Sequence, residues 1–409
     1  MGNWIDRNPR LLAAQVFLST QNISVALCCT ILGVFFWDSL YDDWDDWVSY
    51  MVSAIVIIVA TVANLSAVGS KIVVEKDWIV VIADGDNNRL ANINAVFRTV
   101  DLTCLVLSPM VAGLLFDFVG ISFTAALIAG WNIVSVCVEC YMLVLIYKQY
   151  PGLSHKPAER EETKVGKTIK QNLSQTVQCW KIYWRHDVRN AGFSLACLHM
   201  TVLGFDNITY GYLLEQCVRE SILGSLVGIS AIVGVTASVS FPFLRRSVNV
   251  TRTGLIGWFV LTASLAVCVA SVWLPGSPFK YYSDNRSNHN GTVNNFDDEG
   301  DCEIESFASL SSLIAGIIIA RYGLWLVDLS VTQALQESVD EILRGTVGGV
   351  QGGLNSFMDT IKFALVIALP NQDAFGWLIL ASYAFVLLGM GMYVMYARSR
   401  SMIVVQEDI

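Results

Sequence analysis

The sequence predicts an all-α membrane protein with ten transmembrane helices, and three observations carry this prediction. Of its 409 residues, 54% are hydrophobic and only 15% are charged, against roughly 25% charged residues in soluble domains. The mean hydropathy is +0.53. Apolar stretches of about 20 residues, the length that crosses about 30 Å of hydrocarbon, recur along the chain. We expect no soluble second domain.

The ten apolar stretches form a group of four and a group of six. They cover residues 11–36, 48–69, 90–115, 120–147, 188–214, 221–244, 253–274, 307–334, 346–369 and 375–396. We therefore predict a four-span N-terminal domain at 1–147, a cytoplasmic loop at 148–187, a six-helix C-terminal domain at 188–397 and a cytoplasmic tail at 398–409.

The orientation follows from the basic residues, because Lys and Arg are retained on the cytoplasmic side of a membrane. They fall on alternate loops, at Arg7, Arg10, Lys71, Lys76, Lys148 through Lys170, Arg245, Arg246, Arg344, Arg398 and Arg400. The loops on the other side are acidic, and one of them, 275–306, carries glycosylation sequons at Asn285 and Asn290. Both termini are thus predicted to be cytoplasmic.

Three of the first four spans carry polar side chains that lipid would exclude. These are Gln15, Ser19, Thr20, Gln21 and Asn22 in the first span, Asn92, Asn94, Arg98 and Asp101 in the third, and Asn132 and Glu139 in the fourth. Arg98 and Asp101 are three residues apart, so they share a helix face. A single polar residue is typical of an interhelical hydrogen bond, whereas so many indicate a polar pathway.

The later spans continue this pattern. The fifth contains His199 and the sequence GFDN at 204–207, which is typical of a transporter helix that is interrupted at mid-membrane. The eighth contains Arg321 and Asp328, and the ninth contains Asn355, Asp359 and Lys362. Five glycines between 345 and 353 allow either helix bending or static close packing.

Several other functions are excluded by what the sequence lacks. It has no Walker loop, HExxH pair or serine-nucleophile elbow, so we predict that it is not an enzyme and has no cofactor. The net charge of −9 does not suit nucleic acid. Cys217 and Cys302 are the two cysteines in predicted outer loops, where an oxidised pair and two free thiols are both open alternatives.

Short motifs along nearly the whole chain resemble those of the ferroportin family. GNWIDRNPR at 2–10 is similar to a loop motif of the major facilitator superfamily. The ferroportin-like motifs are KDWIVV at 76–81, LANINA at 90–95, GWNIVS at 130–135, TVLGFD at 201–206, RTGLI at 252–256, PGSP at 275–278, VTQ at 331–333 and AFG at 374–376.

The resemblance implies roles for particular residues. Within the loop motif it points to Asp6 and Arg10. It implies a cytoplasmic gate made of Asp77, Asn94, Arg98, Asp101, Arg344 and Gly345. It also implies a regulatory calcium site with ligands Gln21, Asn132 and Glu139, whose oxygen atoms suit this hard cation.

The chain departs from the family in two respects. Ferroportins have twelve helices, so the ten spans are expected to be a twelve-helix fold that lacks helices one and two. The family's C-terminal metal site uses a cysteine and a histidine, where this chain has Asn207 and Lys362. Lysine in a membrane needs a partner, and the candidates are Asp359 and Asp206. The alternative is that Lys362 snorkels to water.

The resemblance therefore implies a secondary transporter that exports iron(II) across the plasma membrane by alternating access. The alternatives are export of manganese, cobalt or nickel, and a truncated regulatory relative that does not transport. Its expected partners are membrane lipid and the transported cation. In vertebrate members of the family, the hormone hepcidin contacts the cysteine of the C-terminal metal site. We therefore expect that hepcidin does not act on this chain.

The predicted orientation can be tested at the sequons. Replacing Asn285 and Asn290 by Gln should abolish any glycosidase-sensitive mobility shift, because this loop is predicted to be extracellular. The measurement is electrophoresis with and without glycosidase. Cytoplasmic labelling of a cysteine placed at position 285 would contradict the orientation.

Overall fold

The computed structural model describes residues 2–36, 46–154, 169–204, 207–216, 218, 220–274, 307–369 and 375–407. The described elements are all helical. They are α1 (Gly2–Arg7), α2 (Arg10–Phe35), α3 (Asp46–Val73), a π-helical turn (Val74–Trp78), α4 (Ile79–Ala83), α5 (Asn87–Val119), α6 (Ile121–Gln149), a 3-10 turn (Pro151–Leu153), α7 (Ile169–Arg185), α8 (Arg189–Leu198), α9 (Asn207–Glu215), α10 (Glu220–Val248), α11 (Val250–Ser271), α12 (Phe307–Ser338), a 3-10 turn (Glu341–Leu343), α13 (Arg344–Ala368) and α14 (Phe375–Glu407).

Eight of the predicted spans agree with helices that are long and apolar enough to cross a membrane, within the described part of the chain. The fifth predicted span, 188–214, is divided into α8 and α9, as the interruption at 204–207 predicted. The ninth, 346–369, corresponds to the continuous helix α13. The total of ten spans stays a prediction, as do the domain boundaries.

The chain divides into two compact units. The first unit comprises Met1–Leu90, Cys104–Arg185 and Gln336–Gly352. Within it α2 packs against α3 and α6. Its core includes Ala13 and Ala14 of α2, which are almost fully buried and allow close helix approach, and Trp78.

The second unit comprises Ala91–Thr103, His186–Leu335 and Gly353–Ile409. In this unit α14 packs against α8 and α11. A buried apolar cluster joins Ala91 of α5 to Ala237 and Phe241 of α10 and to Leu326 and Leu329 of α12.

Sharp turns in the first unit need unusual backbone angles. Gly120 links α5 to α6 at φ +84, a conformation that glycine adopts without steric cost. Between α4 and α5, Asp84 and Gly85 are both left-handed, at φ 51 and 75. Asp86 then accepts hydrogen bonds from the backbone N–H groups of Asn88 (2.8 Å) and Arg89 (3.2 Å), which caps α5.

Glycine at position 323 brings α12 against α11. A Cβ atom there would lie 2.5 Å from the backbone nitrogen of Leu261 and 2.6 Å from the carbonyl oxygen of Gly257. Both neighbours are backbone atoms, so an added methyl group could be accommodated only if the helices moved apart.

Gly323→Ala should therefore lower the free energy of unfolding of the detergent-solubilised protein by about 1–3 kcal/mol, and with it the melting temperature. The matched control is Gly391→Ala in α14, where no heavy atom lies within 4 Å of the new Cβ. The control should be neutral or slightly stabilising, because alanine has the higher helix propensity. Equal melting temperatures for the two variants would contradict this account.

Candidate functional site

The first charged cluster is centred on Arg10, which begins α2 and is 2% exposed. Its Nε donates to Asp77 Oδ2 at 2.8 Å, and its Nη2 donates to Asp77 Oδ1 at 3.1 Å. Arg10 also pairs with Glu341. Nη1 lies 3.4 Å and 3.5 Å from the carbonyl oxygens of Gly152 and Leu153. The buried guanidinium is thus surrounded by acceptors, as a buried charge requires.

Asp77 lies in the π-helical turn that follows α3, and it is 5% exposed. Single π-turns are frequent at functional sites because they change the direction of side chains within a helix. Arg344 Nη1 lies 3.8 Å from Asp77 Oδ1. Arg344 precedes the predicted ninth span, and burial lowers its pKa while the carboxylates of Asp77 and Glu341 oppose that shift. The guanidinium remains charged at neutral pH.

Asp6 in α1 binds the N-terminus of α13. Its Oδ1 accepts from the backbone N–H of Gly345 at 2.9 Å, and its Oδ2 accepts from the N–H and the hydroxyl of Thr346, both at 2.7 Å. These N–H groups lack partners within the helix, and a carboxylate also complements the helix dipole. Gly2 allows this approach, since a Cβ there would lie 2.0 Å from the Gly345 carbonyl oxygen.

A second charged cluster lies within the second unit, around Arg98. Its guanidinium pairs with Asp328 and lies 3.6 Å from Asp101 Oδ2, so Arg98 and Asp101 do share a helix face, as predicted. The guanidinium carbon lies 4.8 Å from the centre of the Trp325 ring. Asn94, one turn before Arg98, is 5% exposed.

The six residues assigned to a gate by resemblance thus belong to two groups. Asp77, Arg344 and Gly345 lie in the first unit, and Asn94, Arg98 and Asp101 lie in the second. A gate formed by all six stays a prediction. Glu341 was not among the predicted site residues, because a glutamate in a short 3-10 turn gives no sequence signal for a buried ion pair.

The proposed calcium ligands lie in α2 and α6. Glu139 accepts from Asn22 Nδ2 at 3.3 Å and from the Ser135 hydroxyl at 2.5 Å. Asn132 donates its Nδ2 to the Ile128 carbonyl at 2.8 Å, which leaves its side-chain oxygen available as a ligand.

These donors fit a hard cation such as calcium. Among the described side chains, no hydrogen bond joins Gln21, Asn132 and Glu139 to one another, and the assignment stays a prediction. Asn22 and Ser135 were missed as partners of Glu139. Ser135 lies four residues before Glu139 on the same helix, so this spacing alone could have predicted their contact.

A third charged group lies in the second unit. Lys362 Nζ lies 3.2 Å from Asp359 Oδ1, and Asp359 Oδ2 lies 3.0 Å from His199 Nδ1. Lys362 is 9% exposed, and its nitrogen lies 5.1 Å from the centre of the Phe363 ring. The predicted pairing of Lys362 with Asp359 is confirmed, and His199 joins it as a partner that spacing alone could not identify.

The interrupted span lies in the same unit. Asn207 is the first residue of α9, whereas its side chain and all of Asp206 lie outside the described residues, as do Asn285, Asn290, Cys217 and Cys302. A Cβ at Gly204 would lie 3.4 Å from Arg321 Nη2, so Arg321 lies beside the interruption.

Comparisons with known proteins agree with the resemblance. The sequence model of a family described as Ferroportin1 (FPN1) matches residues 1–386. Human ferroportin is 36% identical, in an alignment that covers 98% of this chain and 82% of the human protein. Solute carrier family 40 member 1 of Danio rerio is 34% identical over 97% of this chain and 82% of its own length.

The fold is also found in solved structures. The crystal structure of a bacterial homologue of the iron transporter ferroportin in an outward-facing state matches with a TM-score of 0.75 at 22% identity. That alignment covers 97% of this chain and 85% of the bacterial one. The inward-facing structure matches with a TM-score of 0.58 at 20% identity, over 97% of this chain and 84% of that one.

The contact between Asp6 and α13 gives a testable prediction. Asp6→Ala removes the acceptor for two backbone N–H groups and one hydroxyl, and should destabilise the protein by about 1–2 kcal/mol. Arg7→Ala is the control, because Arg7 is an exposed neighbour in the same short helix. Thermal unfolding in detergent measures both. Similar losses in the two variants would show that the cap contributes nothing specific.

Proposed function

The chain belongs to the ferroportin family of metal-ion transporters, and on that premise we propose that it exports iron(II) across the plasma membrane by alternating access. The match of the family model to residues 1–386 carries the proposal. The chain is a multi-pass membrane protein, and we propose that both termini face the cytoplasm. The relatives reported above are named as ferroportins or family 40 solute carriers, which favours neither another divalent metal nor a regulatory role.

The paired charges in the predicted spans support a transport function. Ionisable side chains are costly in hydrocarbon, and those that persist there usually mark ion pathways. Arg98 with Asp328, and Lys362 with Asp359, are pairs of this kind within one unit. The same unit contains the interrupted helix, an arrangement that transporters use near their substrate sites.

We propose that Lys362 replaces a second metal ion with a fixed positive charge. A protonated amine cannot ligate a metal, and Lys362 is instead buried beside Asp359. Asp359 is therefore already paired with a positive charge. Asn207 and Lys362 stand at the two positions where the resemblance implies a cysteine and a histidine. In this proposal the transporter has one metal site, calcium acts as a regulator through Gln21, Asn132 and Glu139, and hepcidin does not act.

Metal efflux from cells that express the chain tests the proposed function. We expect iron(II) efflux above that of untransfected cells, and a loss of about tenfold or more in Arg98→Gln, because the change removes the guanidinium that pairs with the partly buried carboxylate of Asp328. Arg89→Gln is the matched control, since Arg89 is an exposed arginine of the same helix. Efflux of manganese, cobalt or nickel without efflux of iron would show that the substrate is another divalent metal. The absence of any metal efflux would refute the proposed transport function.

Calorimetry with cobalt(II) tests the single metal site. The native chain should show one site, and Asn207→Cys combined with Lys362→His should show a second, because thiolate and imidazole suit divalent transition metals. Lys362→Leu is the control: it removes the charge without adding a ligand, and should leave one site. Two sites in the native chain, or no added site in the double variant, would contradict the proposal.

A further inference from the structure

The helix α7, Ile169–Arg185, has a charge unlike that of the whole protein. It contains Lys170, Lys181 and Arg185 and no acidic residue, whereas the chain carries a net charge of −9. Its apolar residues recur at helical spacing, which makes it amphipathic. It lies in the loop 148–187, which is predicted to be cytoplasmic.

One edge of α7 is fixed to the protein. Tyr183 is 0% exposed, and its hydroxyl donates to Gln351 Oε1 at 2.5 Å. Burial raises the pKa of Tyr183, so the phenol stays protonated and remains a donor. The ring of Trp180 packs edge-on against the ring of Tyr183, with 6.5 Å between the two ring centres. This anchor sets the rotation of the helix about its axis.

The other edge of the apolar face is half exposed. Val177 and Trp184 are seven residues apart, hence on one face, and each is 49% exposed. At about 100° per residue, Trp184 lies roughly 100° around the helix from Tyr183. Lys181 and Arg185 lie farther round in the same direction, and both are exposed. An exposed apolar strip therefore adjoins a basic strip.

The covalent structure places this end of α7 near a membrane boundary. α7 ends at Arg185 and α8 begins at Arg189, and the predicted fifth span starts at residue 188. Three intervening residues reach about 10 Å at most. Tryptophan prefers the level of the lipid headgroups, and basic side chains extend towards phosphate.

We propose that α7 binds the surface of an anionic bilayer, with Trp184 and Val177 at the headgroup level and with Lys181 and Arg185 on lipid phosphates and carboxylates. Charge complementarity selects this occupant, because the cytoplasmic leaflet carries anionic lipid. A bilayer of uncharged lipid would contact the apolar strip but would not attract the basic strip. Because Tyr183 is fixed against Gln351, both strips lie roughly 100° or more around the helix from this contact.

Hydrogen exchange in lipid nanodiscs tests the proposal. The full chain is placed in discs of phosphatidylcholine alone, or of phosphatidylcholine with phosphatidylserine, and exchange is followed in a peptide that covers 176–185. Each basic residue at an anionic surface strengthens binding about fivefold. We therefore expect exchange to be on the order of twentyfold slower in the anionic discs.

The double variant Lys181→Gln, Arg185→Gln should lose this slowing. The control Arg398→Gln, Arg400→Gln removes the same charge from α14 and should keep it. Equal exchange of the native chain in both discs would overturn the proposal and leave a protein partner as the occupant of this face. A slowing that persists in Lys181→Gln, Arg185→Gln would also overturn it, since the basic strip would then have no part in binding.

Discussion

The buried guanidinium of Arg10 is the interaction on which the first unit depends. It joins the start of α2 to Asp77 in the π-turn, to the carbonyls after α6 and to Glu341 just before α13. Glu341 and Arg10 are 331 residues apart in sequence, so this contact explains how Gln336–Gly352 belongs to a unit otherwise built from the N-terminal part of the chain. Removing either carboxylate would leave a buried charge with fewer partners, at a cost of several kcal/mol. The Asp6 cap acts on the same segment of α13 through backbone groups and without a second charge.

The second unit meets the same constraint with different chemistry. Arg98 has a flat guanidinium that both pairs with Asp328 and stacks near Trp325, which lysine would do less well. Lys362 is a compact charge, and one carboxylate oxygen of Asp359 at 3.2 Å offsets it. The other carboxylate oxygen of Asp359 lies 3.0 Å from His199 Nδ1. Arg98 and Lys362 thus each have a carboxylate near them, which is the condition under which charge persists at membrane depth.

The sequence predicted most of the helices and the pairs that local spacing determines. Eight spans, the interruption before Asn207 and the pairs of Arg98 with Asp101 and Lys362 with Asp359 follow from apolar length, glycine and i,i+3 geometry. Contacts between distant segments were missed. Neither Glu341 beside Arg10 nor His199 beside Asp359 follows from periodicity, because only tertiary packing brings them together. The π-turn at Asp77 was missed for a related reason: its sequence, VEKDW, does not distinguish it from an ordinary helix end.

The charge of Lys362 has a consequence for the transport cycle under the proposed single site. A bound metal ion leaves when it is transported, so a site that depends on it alternates between compensated and uncompensated carboxylates. A lysine held at 3.2 Å from Asp359 stays in both states. The free energy of the empty carrier is then lower, because the partly exposed carboxylate of Asp359 keeps a counter-charge when no metal is bound. The same lysine repels a divalent cation from its surroundings. In the proposed single-site transporter, one side chain would thus stabilise the empty state and also disfavour a second metal ion.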